Sequence, residues 1–388
     1  MKRKLARIEK IGEILPIEGA DVIEAVIIGG WKVVVRKDEG FKKGDLVMFF
    51  EIDAYLPIEP RYEFLRKYSY KKLDFKDGNP EGLREEGFRL KTVKLRGVYS
   101  QGLVMPLTAF KDEIGKIPIS LNVIKDALSK NLRVDNAGTL KFNVPLDSLV
   151  GMDFTGILDV KVFTKPIPIE EKGKVKGMLP FSIPETEQER IQNLPEYFEE
   201  MMDIPFEETE KVNGKSMTTY HNNGEIGVCK RNWELVDDDD NLYWKIAKDL
   251  DLEGKLKEMD LNIALQGEAA GEGINKNPLG LVGKHYFIFN IWDIEKRRFL
   301  TFGERIGIVN ELGLEHVPII NEEIKIFQEY SIERMDDLVA RSRGKSWVTT
   351  GKQREGIVFK STVLINGQTV SFKVLDNKQV MKEENDDG

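Results

Sequence analysis

The stretch between Leu5 and Leu107 consists largely of short runs of β-branched and aromatic residues that glycines interrupt. Such runs predict strands, because these side chains pack well on a pleated surface. The runs are Val22–Ile28, Trp31–Arg36, Leu46–Ile52, Phe88–Leu95 and Gly102–Met105. Turns between antiparallel strands are expected at Gly29-Gly30 and at Lys43-Gly44-Asp45. This pattern restricts the first part of the chain to a small antiparallel β fold.

Five short strands of this kind fit a small barrel such as the OB-fold, although a sandwich or an SH3-like barrel would give much the same pattern. The length of 388 residues exceeds what one hydrophobic core usually serves, and predicts two domains. Segment 164–177 combines prolines, glycines and charges without an apolar period, which predicts a connector. We therefore predict an OB-like domain with an extension over residues 1–163, a linker over 164–183 and a second domain over 184–388.

The second domain is expected to be α+β with a mainly antiparallel sheet. Helical spacing is found at Thr186–Phe198, Leu242–Met259 and Glu304–Glu311. The predicted strands are Ser216–His221, Ile226–Lys230, Ile263–Gly267, Tyr286–Ile291, Gly356–Lys360 and Val370–Val374.

Composition limits the classes of protein to which the chain can belong. A single cysteine, Cys229, excludes an intramolecular disulfide framework and a zinc site built from cysteines. No stretch approaches the roughly 20 apolar residues of a membrane helix, and no apolar segment follows the basic N-terminus as in a signal peptide. We expect a cytoplasmic protein. The net charge of −8 weakens a nucleic-acid hypothesis without excluding it, because acid is concentrated in segments 237–240 and 382–387.

The sharpest local motif is Glu210-Lys211-Val212-Asn213-Gly214, which lies between two strand-like runs. A Lys-x-x-Gly sequence is weak evidence by itself, because a lysine beside a glycine is usually a solvated turn. What strengthens it is the order of four further motifs downstream.

Two of these motifs supply carboxylates: Gly267-Glu268-Ala269-Ala270-Gly271 places one at a strand end, and Arg354-Glu355-Gly356 places a second at the start of a strand. Between them, segment 286–291 carries Phe287 and Phe289 on one face of a strand. Ser371-Phe372-Lys373-Val374 adds a lysine within a final β run. Each of these is more often a core or surface feature when read alone, but five matches in one order are hard to obtain by chance.

With these motifs the sequence resembles the covalent nucleotidyltransferase superfamily of ligases and capping enzymes. It is most similar to RNA ligases of the Deinococcus type, to which a Naegleria enzyme is related and which carry an OB domain in front of an ATP-grasp-like transferase domain. The resemblance covers nearly the whole chain, including the lead-in at 184–193 and the turn at 44–47. It implies an ATP-dependent RNA ligase that joins 3′-hydroxyl and 5′-phosphate ends through a lysyl-AMP and an AMP-capped nucleic acid.

The resemblance also implies roles for particular residues. Lys211 is the expected nucleophile, Lys373 is expected at the α-phosphate, and Glu268 and Glu355 are expected to hold Mg²⁺ or Mn²⁺, with Asn213 contributing through water. An attacking lysine must be neutral, whereas an unperturbed one is only about one part in a thousand neutral at physiological pH. The nucleotide-binding candidates are Glu210, Gly214, Arg231, Phe289 (or Phe287), Arg190 and Lys360.

Two positions depart from the pattern commonest in the superfamily. Asn213 stands where Asp is frequent, so a metal contact would lose a charge but keep an oxygen acceptor. Ser371 stands where a first lysine of a Lys-x-Lys pair is frequent, which leaves Lys373 alone or aided by Lys360.

The expected partners are RNA ends, in nicked duplex RNA or an RNA–DNA hybrid, held by the barrel with Arg89, Lys91, Lys94 and Arg96 as candidate contacts. A DNA ligase or a guanylyltransferase of the same superfamily is disfavoured because only about 15 residues follow Lys373. A catalytically degenerate nucleic-acid-binding protein is the rival from another class. NAD in place of ATP is a further alternative, but the β-rich start does not resemble a nicotinamide module.

Overall fold

Strands dominate both halves of the chain in the computed structural model, which describes residues 3–73, 82–114, 133–134, 140–141, 149–163, 174–186, 188–194, 200–365 and 369–386. The chain folds into two compact units, Met1–Pro166 with Glu383–Gly388, and Ile167–Lys382. None of the described helices is long and apolar enough to cross a membrane.

The first unit contains short strands and a few helical turns. Its strands are β1 (Ala6–Pro16), β2 (Ile23–Ile28), β3 (Trp31–Arg36), β4 (Leu46–Phe50), β5 (Ala54–Leu56), β6 (Tyr70–Lys72), β7 (Glu86–Arg89), β8 (Val93–Leu95), β9 (Val98–Ser100), β10 (Leu103–Pro106), β11 (Arg133–Val134), β12 (Leu140–Lys141) and β13 (Lys161–Val162). Its helices are α1 (Arg66–Ser69) and α2 (Lys111–Ile114), with 3₁₀ turns at Lys37–Glu39, Pro60–Leu65 and Leu107–Phe110.

The long strand β1 organises this unit. Its first half pairs with β4 and its second half with β2, and the register shifts between Ile11 and Glu13. A bulge at Gly12 thus lets one strand serve two curved sheets, as closure of a barrel requires. Apolar residues fill both sides, with Phe50 in one cluster and Trp31 in the other. The predicted Gly29-Gly30 turn is confirmed, because Ile28 pairs with Trp31 across it.

The prediction of a single strand over Phe88–Leu95 is wrong. The run divides into β7 and β8, and the exposed β8 forms a hairpin with the more buried β9, whose turn residues Arg96 and Gly97 both have positive φ. This turn imposes the local geometry of a tight hairpin. Arg89, the last residue of β7, is buried, and its guanidinium lies 4.2 Å from the Phe163 ring centroid. Lys94 and Arg96 in the hairpin are exposed.

The second unit contains the remaining elements. Its strands are β14 (Val175–Met178), β15 (Glu189–Arg190), β16 (Phe206–Lys211), β17 (Lys215–Asn222), β18 (Glu225–Lys230), β19 (Trp233–Leu235), β20 (Ile263–Gly271), β21 (Lys284–Asp293), β22 (Arg298–Phe299), β23 (Glu315–His316), β24 (Ile319–Ile324), β25 (Gly356–Ser361) and β26 (Ser371–Leu375). Its helices are α3 (Leu242–Asp249), α4 (Leu252–Met259), α5 (Phe302–Glu311), α6 (Ile326–Glu329), α7 (Met335–Ser342) and the part of α8 (Asn377–Asp386) up to Lys382, with a 3₁₀ turn at Ile191–Asn193.

Two sheets form the frame of this unit. One runs β14-β19-β18-β17-β20-β21-β22, with β23 also on β21, and the other runs β15-β26-β25-β16-β24. Among the described strands of these sheets, the pairings are antiparallel except β15 with β26 and β21 with β23. Helices α3, α4 and α5 cover the outside of the larger sheet, and α6 and α7 cover the outside of the smaller one. The α+β class with mainly antiparallel sheets is confirmed.

Three local predictions in this unit are wrong. Helical spacing at Thr186–Phe198 gives way to β15 and a 3₁₀ turn, because residues 189 and 190 pair with β26; residues 187 and 195–199 lie outside the described ones. The helix predicted over Leu242–Met259 breaks at Asp251, which adopts φ +50°. Within the predicted linker, Val175–Met178 forms an edge strand on β19, while residues 164–173 lie outside the described ones.

Candidate active site

Lys211 is the last residue of β16, immediately before the turn that leads into β17. At this turn Gly214 lies so close to β20 that a Cβ on it would meet the Ala269 carbonyl oxygen at 2.2 Å. Only glycine permits this approach, because any side chain would displace a backbone strand. The lysine is thereby fixed at the strand end nearest to β20.

The side chains of β16 alternate between two faces. Phe206 packs in the apolar cluster under α6 and α7, and Glu208 accepts hydrogen bonds from Tyr330 and Asn321, so the even-numbered residues face outward. Lys211 therefore lies on the opposite face, toward the larger sheet. The register of β16 with β25 and of β25 with β26 places Lys373 on the same face as Lys211.

Two carboxylates from different sheets meet the Lys211 amine. Lys211 Nζ donates a hydrogen bond to Glu355 Oε2 at 3.2 Å and lies 3.9 Å from Glu268 Oε2. It also donates to the carbonyl of Val212 at 3.2 Å. Glu268 comes from the fully buried strand β20, and Glu355 directly precedes β25. The three residues, separated by up to 144 positions, form one cluster.

The charged form of Glu268 is electrostatically unfavourable in this cluster. Burial raises the pKa of Glu268 to about 7, and the charge of Glu355 adds to the rise, while Lys211, Lys373 and the Gly214 N–H oppose it. A buried carboxylate beside another carboxylate gains most from added positive charge. The site therefore favours a bound cation in addition to the lysines.

The oxygen atoms present fit a hard divalent metal. Among the described residues no group of three His, Cys, Asp or Glu side chains could hold a metal by itself. Two carboxylates with an amide oxygen suit Mg²⁺ or Mn²⁺, because such ions retain water and take further oxygens from a bound phosphate. The Asn213 oxygen lies 3.5 Å from the Asn275 amide nitrogen, which also donates to the Gly214 carbonyl.

An apolar cluster adjoins the Lys211 turn. Val212 and Phe287 are buried in it, and Phe289 packs against it together with Val348 from the segment between α7 and β25. The His285 ring stacks on Phe287 at 5.6 Å with an interplanar angle of 6°. A register shift between β20 and β21 occurs at Phe289, which remains partly exposed, whereas Phe287 is buried. The partly exposed Phe289 ring is the more accessible surface for a flat base.

Lys360 does not join the phosphate-side cluster. Lys360 is buried, and its Nζ donates a hydrogen bond to the Phe289 carbonyl. This hydrogen bond connects β25 of the smaller sheet to β21 of the larger one. Burial lowers the pKa of Lys360 to about 7, with a further contribution from Arg305, while Glu207 opposes the shift. Arg305 is itself paired with Glu207 and donates to His316. The role that the geometry supports for Lys360 is to hold Phe289 in place.

The other nucleotide-binding candidates are dispersed. Glu210 faces away from Lys211, and its carboxylate accepts hydrogen bonds from the Ser346 hydroxyl and the Trp347 N–H, both at 2.6 Å. Arg231 is exposed in the β18–β19 turn with φ +50°. Arg190 is adjacent to the site, because it pairs with Lys373 in the parallel β15–β26 ladder.

Some contacts near the site were not predicted. Gln188 Nε2 donates a hydrogen bond to Ser371 Oγ at 2.9 Å, which links the chain just before β15 to β26. Ser371, which stands where a lysine is frequent in the superfamily, therefore has a hydrogen-bond partner. The polar residue at 371 was a visible signal, but its partner 183 positions away was not. The segment with Ser346 and Trp347 had no motif that pointed to it.

Comparisons with known proteins identify the family of both domains. The family model of the OB-fold domain matches residues 5–107, and that of RNA ligase matches residues 204–375. Naegleria gruberi RNA ligase with pyrophosphate is 33% identical, with 99% of this chain and 100% of that chain covered and a TM-score of 0.78. A mutant of the same enzyme with ATP and Mn is 32% identical over 98% and 99% of the two chains, with a TM-score of 0.77.

A mutant of that enzyme without ligand is 33% identical over 99% of both chains, with a TM-score of 0.79. No curated protein sequence matches significantly. An identity of 33% over nearly the full length of both chains is enough to assign the family. The chain therefore belongs to the ATP-dependent RNA ligase family and carries an OB-fold domain ahead of its ligase domain.

Proposed function

We propose that the protein joins RNA 3′-hydroxyl and 5′-phosphate ends with ATP, through a lysyl-AMP on Lys211 and an AMP-capped RNA. One observation carries the proposal. The amine of Lys211 lies 3.2 Å from the carboxylate of Glu355, just before β25, and 3.9 Å from that of Glu268 on β20, beside an apolar cluster that contains Phe287 and Phe289. The structures of the Naegleria enzyme with ATP and Mn, with AMP and Mn, and with pyrophosphate support it.

The first step is attack of the Lys211 nitrogen on the α-phosphorus of ATP. The new N–P bond replaces the bond to the β-phosphate oxygen, pyrophosphate leaves, and the amine releases its proton. Without ligand, the carboxylates beside Lys211 favour its charged form, which is not nucleophilic. A divalent metal on Glu268 and Glu355 would neutralise these carboxylates and the phosphate oxygens. Lys373 adds positive charge on the same face.

In the second step a 5′-phosphate oxygen of RNA attacks the same phosphorus and frees Lys211. In the third step a 3′-hydroxyl attacks the capped 5′-phosphate, the new phosphodiester forms, and AMP leaves. Charge gathers on phosphate oxygens in all three steps, so one cluster of cations can serve each of them.

We place the substrate among nicked duplexes, either RNA or RNA–DNA hybrid, as in RNA repair. The exposed Lys94 and Arg96 of the β8–β9 hairpin support contact with a phosphate backbone, and the half-buried Lys91 is a further candidate. Arg89 is withdrawn from this role, because it is buried against Phe163. The cytoplasmic location stays a prediction.

The test is transfer of label from ATP labelled at the α-phosphate to denatured protein, with Mg²⁺ or Mn²⁺ present. Labelling is expected for the wild type and for the exposed-lysine control Lys245→Ala, and is expected to vanish in Lys211→Ala. Labelling by GTP alone would indicate a guanylyltransferase. Absence of labelling with every metal and nucleotide would contradict the mechanism and favour a nucleic-acid-binding protein without catalysis.

A further inference from the structure

A pocket lies on the side of β16 that faces away from Lys211. It has a volume of about 370 Å³. Its lining is basic and contains one tryptophan: Arg341, Arg343, Gly344, Lys345, Ser346, Trp347 and Arg354. We call it the Arg343–Trp347 pocket. Nothing in the proposed lysyl-AMP chemistry uses it.

The backbone of the pocket is held to the nucleophile strand. Ser346 and the Trp347 N–H both donate to Glu210, the residue before Lys211. Arg341 pairs with Glu208 of the same strand at 3.0 Å and lies 4.2 Å from the Tyr330 ring centroid. Because neighbouring residues of a strand point to opposite faces, the pocket and Lys211 share β16 but open to different sides.

The pocket is rigid on the inside and positively charged at its mouth. Arg354 is buried and donates to the carbonyls of Ser342, Arg341 and Arg343, so its guanidinium is committed to the backbone. Arg343 is about half exposed, and its ion pair with Asp376 is long at 3.7 Å. Lys345 is exposed. Two cations are therefore available to an incoming anion.

Trp347 supplies an aromatic surface beside these cations. Its side chain is 50% exposed, which is unusual for so large an apolar group. Arg354 lies over one side of the ring at 4.5 Å from the centroid, so the ring is fixed in place. A fixed ring beside two cations is the combination with which proteins stack a base and hold its phosphate.

We propose that the Arg343–Trp347 pocket binds a nucleotide of the RNA substrate, with the phosphate on Arg343 and Lys345 and the base on Trp347. The inference rests on the proposed function, because it assigns the pocket to the strand that is joined at Lys211. RNA is favoured over a second ATP since the mouth is open and offers two cations and one stacking surface, whereas its lining residues include no carboxylate pair for a metal.

The test measures RNA binding and lysyl-AMP formation separately. Binding of a fluorescent nicked RNA duplex is followed by anisotropy over a range of salt concentrations, for the full chain without ATP. Arg343→Gln with Lys345→Gln is expected to weaken binding and to lower the slope of log affinity against log salt by about 0.7 to 0.9, since one phosphate loses the cations that neutralise it. Trp347→Ala is expected to weaken binding about ten-fold, and Trp347→Phe much less, because a phenyl ring still stacks.

The matched control is Lys245→Gln with Lys325→Gln, which removes two exposed positive charges elsewhere in the same unit and is expected to keep the salt slope. Unchanged binding and slope in both the double variant and Trp347→Ala, with unfolding midpoints as in the wild type, would overturn the proposal. Loss of lysyl-AMP formation at unchanged RNA affinity would also overturn it, because the segment would then act only on the adenylylation of Lys211. Failure of the wild type to form lysyl-AMP would contradict the proposed function and leave the binding result readable.

Discussion

Lys211 and Lys360 lie on the same face of the smaller sheet but in opposite electrostatic surroundings. Lys211 is partly exposed and has two carboxylates within 4 Å, whereas Lys360 is buried beside Arg305, and the nearby Glu207 carboxylate is already paired with that arginine. Burial is the main reason that the pKa of Lys360 is about 7, yet its amine is committed to the Phe289 carbonyl. A neutral amine is thus not enough for a nucleophile: access and removable counter-charges matter as well.

The largest effect on the rate of lysyl-AMP formation is expected when either carboxylate beside Lys211 loses its charge. Glu355→Gln or Glu268→Gln should slow lysyl-AMP formation about 10³-fold, because one oxygen ligand for the metal loses its charge. Rapid-quench measurement with labelled ATP gives the rate, and the exposed Glu311→Gln is the control. A loss below ten-fold in both variants would mean that these carboxylates do not act on the transfer.

Glu268→Gln should also change how the free energy of unfolding depends on pH. The pKa of Glu268 is about 7 in the folded protein against 4.5 as its ordinary value. Between these pH values the folded state holds a proton that the unfolded state has lost, so wild-type stability falls as pH rises through this window. Glu268→Gln should therefore be more stable than the wild type above pH 7, by about 1 to 3 kcal/mol, with no gain below pH 4.5. Urea unfolding at pH 4.5 and 8 without metal checks this, and a gain that is equal at both pH values would contradict it.

Lys360 should show the opposite dependence on pH. Its pKa is about 7 in the folded protein against 10.5 ordinarily, so the unfolded state binds the extra proton between these values and wild-type stability rises with pH there. Lys360→Met should flatten this rise by about 1 to 2 kcal/mol, although the lost bond to Phe289 costs about 1 kcal/mol at every pH. Urea midpoints at pH 6, 8 and 10 test it against the exposed-lysine control Lys325→Met. Parallel profiles for Lys360→Met and the wild type would show that Lys360 does not titrate in this range.

The smallest expected effect concerns the amide beside the two carboxylates. Asn213→Asp adds a charge to the metal-facing side of the turn, and should lower the Mg²⁺ concentration for half-maximal lysyl-AMP formation several-fold. Asn232→Asp, in the β18–β19 turn, is the control for added charge. An unchanged Mg²⁺ requirement would place residue 213 outside the metal's surroundings.

The sequence predicted the strands well where β-branched runs were bounded by glycine, as at Trp31–Arg36. It also named Lys211, Glu268 and Glu355 together, and the structure brings these three side chains into one cluster, although Glu268 lies within β20 and not at the strand end that the sequence predicted. It failed where distant pairing overrides local spacing: residues 189 and 190 pair with β26 instead of forming a helix. Two elements predicted as continuous are divided or ended by turns: the helix over Leu242–Met259 is interrupted at Asp251, and the strand run over Phe88–Leu95 is followed by a turn at Arg96, and both turn residues have positive φ.

The sequence also could not predict which distant residues each side chain contacts. The two-residue period of a strand places Glu210 opposite Lys211, but only the fold shows that Ser346 and Trp347 meet it there. Likewise, Lys360 finds the Phe289 carbonyl at a register shift in another sheet, which no local pattern reveals. Partners more than 70 positions apart depend on how the two sheets pack.

The contact of Gly214 with the Ala269 carbonyl has a consequence for protein engineering. With 2.2 Å available to a Cβ, the separation between the nucleophile turn and the strand of Glu268 is set by backbone against backbone, not by any exchangeable side chain. Libraries that vary residue 214 should therefore contain few active members. An engineer who wants a different nucleotide or end chemistry should leave this turn intact and diversify the partly buried apolar residues beside it, Phe289 and Val348, instead.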